Sequence, residues 1–123
     1  IIHIREIPKN TFIGYESDYK SDTAKRLAVI GIGYADLWAQ PTDKNIALSL
    51  RGKRISLLGR GSMDLLTVDI SYFHNNEVSV GDWVQLLGPD ISLQESAVVS
   101  QTTPAKILAS LGGGRYNRIY YED

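Results

Sequence analysis

Between Leu57 and Ile70 the chain reads LLGRGSMDLLTVDI, two apolar runs separated by a glycine-loosened turn that carries Arg60, Met63 and Asp64. A turn between buried strands needs glycine for positive φ and otherwise favours solvated polar residues, so a thioether beside a carboxylate has no obvious structural task there. The combination is that of a pocket wall, an apolar surface with a few polar groups that orient a ligand. The plainer reading of Arg60 with Asp64 is a local surface ion pair worth at most about 1 kcal/mol. Two tyrosines stand upstream: Tyr15 follows Gly14 at a strand end, and Tyr34 lies in Ile32-Gly33-Tyr34-Ala35-Asp36, just after an apolar run. On residue type alone Tyr15 is an amphipathic interface tyrosine and Tyr34 is equally well a ring capping a loop. Asp36 reads as a turn cap, and Asp69, near a strand end, as structural.

Short strands must position these residues. Ile2, Ile4 and Ile7 among His3, Arg5 and Glu6 give the near-alternation of a half-buried strand, closed by the turn Pro8-Lys9-Asn10. Leu27 to Ile32 is a continuous apolar run, suited to a strand covered on both faces and broken by Gly33. Ile46 to Leu50 and Ile55 to Leu58 flank Arg51-Gly52-Lys53-Arg54 as a hairpin. Leu65 to Ile70 and Trp83 to Leu87 add two strands, the second after the turn Val80-Gly81-Asp82. Beyond Gly88-Pro89, Ser92 to Glu95 forms a capping box that opens a helix with Leu93, Ala97 and Val98 on its apolar face. Thr103-Pro104 opens a second helix, with Ile107, Leu108 and Leu111 at helical spacing up to Gly112-Gly113-Gly114. Arg115 to Tyr121 alternates as a last strand. Many short strands joined by Gly and Pro turns favour a closed or partly closed antiparallel barrel, because closure removes exposed edges.

Composition bounds the function. With 123 residues the chain suffices for one core, and 13 Lys plus Arg against 14 Asp plus Glu leave a net charge of -1, so no field favours nucleic acid or an anionic membrane. Cysteine is absent, which excludes disulfides and cysteine metal sites, and no metal ligand set is expected. No apolar run approaches the roughly 20 residues of a membrane span, and no signal segment opens the sequence. The expectation is a soluble, cytoplasmic chain, and its start at Ile1 without Met reads as that of a fragment.

Arg60-Gly61-Ser62-Met63-Asp64, followed by Leu65-Leu66-Thr67-Val68-Asp69, resembles the GR-x-S-M-D-x-x-T-V-D segment of the carboxy-terminal domain of alanine racemases. Ile32 to Asp36 is similar to that family's I-G-Y-A-D-G segment, and Gly14-Tyr15-Glu16, nineteen residues before Tyr34, corresponds to its G-Y-G. The likeness runs from about Ile2 to Tyr121. It implies a mainly β fold, a Greek-key-like antiparallel barrel with one or two short helices near the C-terminus, occupying residues 1–123. It also implies an isomerase that interconverts L- and D-alanine for peptidoglycan. Pyridoxal 5'-phosphate would be bound mainly by an absent amino-terminal TIM barrel, whose lysine works on one face of the substrate. Neither Lys53 nor Lys106 sits in that lysine's motif. Tyr15 would be the base on the other face, offered to the active site of the partner subunit in a head-to-tail homodimer. A phenol of unperturbed pKa about 10 must be lowered, or its proton held in a network, to do so. Met63 and Tyr34 would contact substrate, and Arg60, Asp64 and Gln40 would form the gate. The 123-residue chain alone would be inactive.

Three positions depart from the family pattern. Ala105, in Thr102-Thr103-Pro104-Ala105-Lys106, stands where a phosphate-binding tyrosine is expected; Gln40 replaces an entrance arginine; Leu37 replaces a glycine. Losing the phenol removes a cofactor contact and leaves space beside the substrate. Ala105 and Gln40 motivate a rival expectation, a racemase for serine or several small amino acids; the apolar and aromatic content, with no complete catalytic set in the chain, supports another, a non-catalytic β-barrel module that packs against a partner protein.

Overall fold

The computed structural model describes residues 1–13, 19–112 and 116–121. Its main sheet is antiparallel with the order β1-β4-β7, where β1 is His3–Ile7, β4 is Lys25–Ile30 and β7 is Leu66–Asp69. In register, Ile4 faces Ala28 and Leu27 faces Asp69. The apolar run of β4 is covered on both sides, as expected. Ala28 and Ile30 join Leu48, Leu66, Val68 and Ile70 in the larger core, and Leu27 joins Ile7, Ile13 and Leu58 in a smaller one. The strand stops at Ile30, two residues before the end of the apolar run.

Among the described residues, two small antiparallel pairs complete the β structure. In one, β2 (Phe12–Ile13) pairs with β3 (Tyr19–Lys20), Ile13 opposite Tyr19. In the other, β5 (Leu48–Leu50) pairs with β6 (Lys53–Ile55), Leu50 opposite Lys53. The connecting residues Arg51 and Gly52 both have positive φ, 51° and 78°. That is the two-residue turn whose twist matches a hairpin, so β6 begins at Lys53 and not at Ile55 as the sequence suggested.

Both helices start where their caps predict. The Ser92 hydroxyl accepts from the Glu95 amide at 3.0 Å and opens α1 (Leu93–Val99); the Thr103 hydroxyl accepts from the Lys106 amide at 3.3 Å and opens α2 (Pro104–Ser110). The reciprocal half of the capping box is replaced, because the Glu95 carboxylate pairs with Arg54 on β6. The buried residues of α1 are Ser96 and Ala97, while Val98 and, on α2, Leu108 are exposed, contrary to the apolar faces read from spacing.

Three further expectations are corrected. Trp83 to Leu87 is not a strand: Gln85 makes a single bridge, exchanging both backbone hydrogen bonds with Ser49, and a ladder needs consecutive partners. Residues 116–121 form no strand, and Ile119, Tyr120 and Tyr121 stand exposed; alternation marks faces but supplies no neighbour. No closed barrel results among the described residues. The described strands form three separate sheets, and isolated bridges pair Leu57 with Val68 of β7 and Gln85 with Ser49 of β5. No described helix is long and apolar enough to cross a membrane.

Candidate active site

The turn singled out in the sequence is fastened to the segment that carries Tyr34. The Tyr34 amide donates to the Ser62 carbonyl at 3.0 Å and the Ala35 amide to the Met63 carbonyl at 3.1 Å. Gly33 makes this approach possible, since a Cβ there would overlap the Met63 carbonyl and the Asp64 amide. Asp36 shapes the same turn: its carboxylate accepts from the Gly33 amide at 3.0 Å, and its own amide donates to the Gly33 carbonyl at 2.9 Å. The outcome is a joined pair of loops that presents the Tyr34 ring, 38% exposed, and the Met63 thioether, 51% exposed.

A third loop, residues 38–45, closes the flank. The Gly61 amide donates to the Pro41 carbonyl at 3.2 Å, and a Cβ on Gly61 would lie 2.7 Å from Pro41 Cγ. Asn45 straps the loop from inside, its Nδ2 donating to the Gln40 carbonyl at 2.8 Å and its Oδ1 accepting from the Thr42 amide at 2.7 Å. From outside, Trp38 Nε1 donates to Ser100 Oγ at 3.0 Å, and Ser100 Oγ donates to the Asn45 carbonyl at 2.9 Å, which ties the loop to the end of α1.

Arg60 is half-buried and lines a cleft of about 360 Å³ with Tyr19, Thr42, Asp43, Lys44 and Leu57. Two cations and one carboxylate over an apolar floor suit a small zwitterion or carboxylate at the mouth. Tyr15 falls outside the described residues, but the β2–β3 stem on either side of it reaches this cleft through Tyr19. The structure thus brings Tyr34, Met63, Asp64, Arg60 and Gln40 onto three contiguous loops. Ala105 is exposed on α2, which packs on α1, and nothing among the described residues joins it to that cluster. Trp38, Asn45 and Ser100, which hold the cluster together, carried no sequence signal beyond the turn-forming run Pro41 to Asn45.

Asp69 is structural, as its position suggested. Burial pushes its carboxyl up, but hydrogen bonds from Ser71 and from Lys25, whose Nζ lies at 3.1 Å, outweigh this and hold it below the ordinary carboxylate value. The same hydrogen bond raises Lys25.

The family model described as "Alanine racemase, C-terminal domain" matches residues 1–120. The chain belongs to that family. The alanine racemase of Brucella ovis is 32% identical over 120 residues, which are 98% of this chain and 30% of the relative; that of Rhodospirillum rubrum is 34% identical over the same length. Among solved structures, alanine racemase from Bartonella henselae with covalently bound pyridoxal phosphate superposes at a TM-score of 0.88 with 33% identity, covering 98% of this chain and 33% of that one. The biosynthetic alanine racemase of Pseudomonas aeruginosa gives 0.82 with 31% identity. This alanine racemase C-terminal domain therefore spans about a third of the length of the racemases it matches.

The donor set bears on the cofactor. Holding pyridoxal phosphate takes a cradle of phosphate donors, and a covalent link takes a lysine amine. In this domain Ala105 offers an exposed methyl group, Tyr34 and Met63 a ring and a thioether, and Lys44 lies exposed at the cleft rim. These residues do not fit a cofactor holder.

Proposed function

We propose that this chain supplies one half of the active site of a cytoplasmic, homodimeric alanine racemase that makes D-alanine for peptidoglycan. The carrying observation is the pairing of Gly33–Asp36 with Ser62–Asp64, which presents Tyr34 and Met63 together in a domain of this family. In this reading the domain meets the active site of the partner subunit, whose own amino-terminal TIM barrel holds pyridoxal phosphate. When bound there, the cofactor delocalises the electron pair left at the substrate Cα. The work of this chain is positional and acid–base. Tyr15 gives or takes the Cα proton on one face, Met63 and Tyr34 narrow the space to a small side chain, and Arg60, Asp64 and Gln40 form the charged and polar mouth through which a zwitterion passes.

The test is racemisation of L-alanine by the full-length protein and by its Tyr15→Phe variant. General acid–base groups contribute about 10²- to 10⁴-fold, so kcat should fall by that factor with the fold intact. Unchanged turnover removes Tyr15 from the mechanism.

A racemase for serine or several small amino acids is the second reading, favoured by the small Ala105 and the uncharged Gln40. It expects Ala105→Tyr in the full-length enzyme to lower kcat/KM for serine relative to alanine and to tighten cofactor retention. No change in either measurement removes it.

A further inference from the structure

One side of the molecule holds a strand pairing between Ile1 and Gly81–Asp82. The Gly81 amide donates to the Ile1 carbonyl at 2.8 Å, and the Ile1 nitrogen donates to the Asp82 carbonyl at 2.7 Å. Gly81 has φ 99°. Two residues opposite one, with a left-handed glycine first, is the bond pattern of a glycine-led β-bulge in an antiparallel pair. Such a bulge starts or adjusts a ladder, yet among the described residues no partner follows on this side of Trp83 to Leu87. Gln85 spends both its backbone groups on Ser49 on one edge. The backbone groups of Val84 and Leu86, which alternation turns to the other edge, meet no partner among the described residues. That free edge faces a slot of about 380 Å³ lined by Ile2, Gly31, Ile32, Val84 and Leu86, with Trp83 88% exposed and Ile2 55% exposed at its rim. A neighbouring cavity of about 300 Å³ shares Ile32, Val84 and Leu86 and extends the apolar surface to Leu37 and Leu111.

We infer that the polypeptide immediately preceding Ile1 continues β1 through this slot as an antiparallel strand against Trp83–Leu87. The inference rests on reading the chain as the C-terminal part of a longer racemase; the matched region is 30% of the Brucella ovis relative, and the family model is that of a C-terminal domain. It goes beyond that reading by naming the segment and its register. Ile1 is already held on both sides, to Gly81–Asp82 and, through the Ile2 amide at 2.9 Å from the Val29 carbonyl, to β4, so the chain before it leaves along the slot. Hydrogen-bonded pairs recur every second residue, so the residue two before Ile1 falls opposite Val84 and the residue four before it opposite Leu86. The residue directly before Ile1 falls opposite Trp83 in a non-hydrogen-bonded pair. The strand satisfies the orphan groups of Val84 and Leu86, covers the apolar slot, and turns Trp83–Leu87 from a bridge into a central strand.

Two measurements on the full-length protein test this. In the unaltered protein, the Val84 and Leu86 amides should exchange with solvent deuterium about 100-fold or more slower than unbonded loop amides; exchange at the loop rate overturns the inference. In a variant with cysteine at Trp83 and at the residue directly before Ile1, mild oxidation should form an intrachain disulfide, since opposite Cα atoms in such a pair lie about 4.5 Å apart. A disulfide between two chains assigns the slot to a second copy, and two free thiols in a protein that retains its cooperative melting leave no strand there; either overturns the inference. If the double variant does not fold, the exchange measurement still decides. Racemase activity of the unaltered protein is read separately, so failure of the proposed function and failure of this strand are distinguishable.

Discussion

A methyl group at Gly33 would occupy space already filled by the Met63 carbonyl and the Asp64 amide, so Gly33→Ala must push the two site loops apart. Overpacking of this kind costs about 1–3 kcal/mol. The expected outcome in the full-length protein is a lower melting temperature with a larger loss of kcat/KM than that stability change explains, because Tyr34 and Met63 separate. Gly52 is the contrast: it has φ 78° with open space around it, so Gly52→Ala strains only the β5–β6 turn, costs about 1 kcal/mol, and should leave turnover unchanged. Asp69 adds a pH signature. Its folded-state pKa is depressed, so its contribution is present above the unfolded value of about 3.9 and is lost as pH falls through the lower folded value. Lys25 is raised, so its share is full below about 10.4 and is lost as pH rises through its higher folded value. Asp69→Asn, which leaves the Lys25 ammonium with a weaker partner, should cost about 1–3 kcal/mol at pH 7 by denaturant melting, and the difference from the parent should vanish in acid.

At the scale of elements, what a strand contains was legible and what it lies beside was not. The apolar run of β4, the half-alternation of β1 and the stretch around β7 are found as strands because residue type alone specifies a buried, extended segment. Trp83–Leu87 has the same texture and makes a single bridge, since a ladder depends on a neighbour that no local pattern can name. The caps Ser92 and Thr103 were readable because their chemistry is local. Helix faces were not, because a seven-residue helix makes too few turns for spacing to tell Ala97 from Val98. The site divides the same way: Arg60, Met63, Asp64 and Tyr34 stood out by type, whereas Trp38, Asn45 and Ser100 matter only through contacts across long sequence separations. Ser100→Ala tests that bracing. It removes one hydroxyl that both accepts from Trp38 and donates to Asn45, so it should cost about 1–3 kcal/mol and raise KM through a looser 38–45 loop. An unchanged KM would show that the loop holds its place without α1.

For the molecule as a whole, two apolar clusters of described residues lie on opposite sides of β4, and they do different work. The larger holds the sheets together. Among the described residues the smaller contains Ile7, Ile13, Leu27 and Leu58, with Tyr19 packed against it. Ile13 and Tyr19 are the paired residues that flank segment 14–18, and Leu58 lies two residues before Arg60. Four side chains therefore act as a common fulcrum for the β2–β3 pair that flanks segment 14–18 and for the arginine-bearing loop. Leu58→Ala, a deletion at a 5% exposed position, should cost about 2–5 kcal/mol. It should also disturb proton transfer and substrate admission together, lowering kcat and raising KM in one step. Under the proposed function, evolution can retune aim and aperture through a single greasy hinge without touching any residue assigned to the substrate.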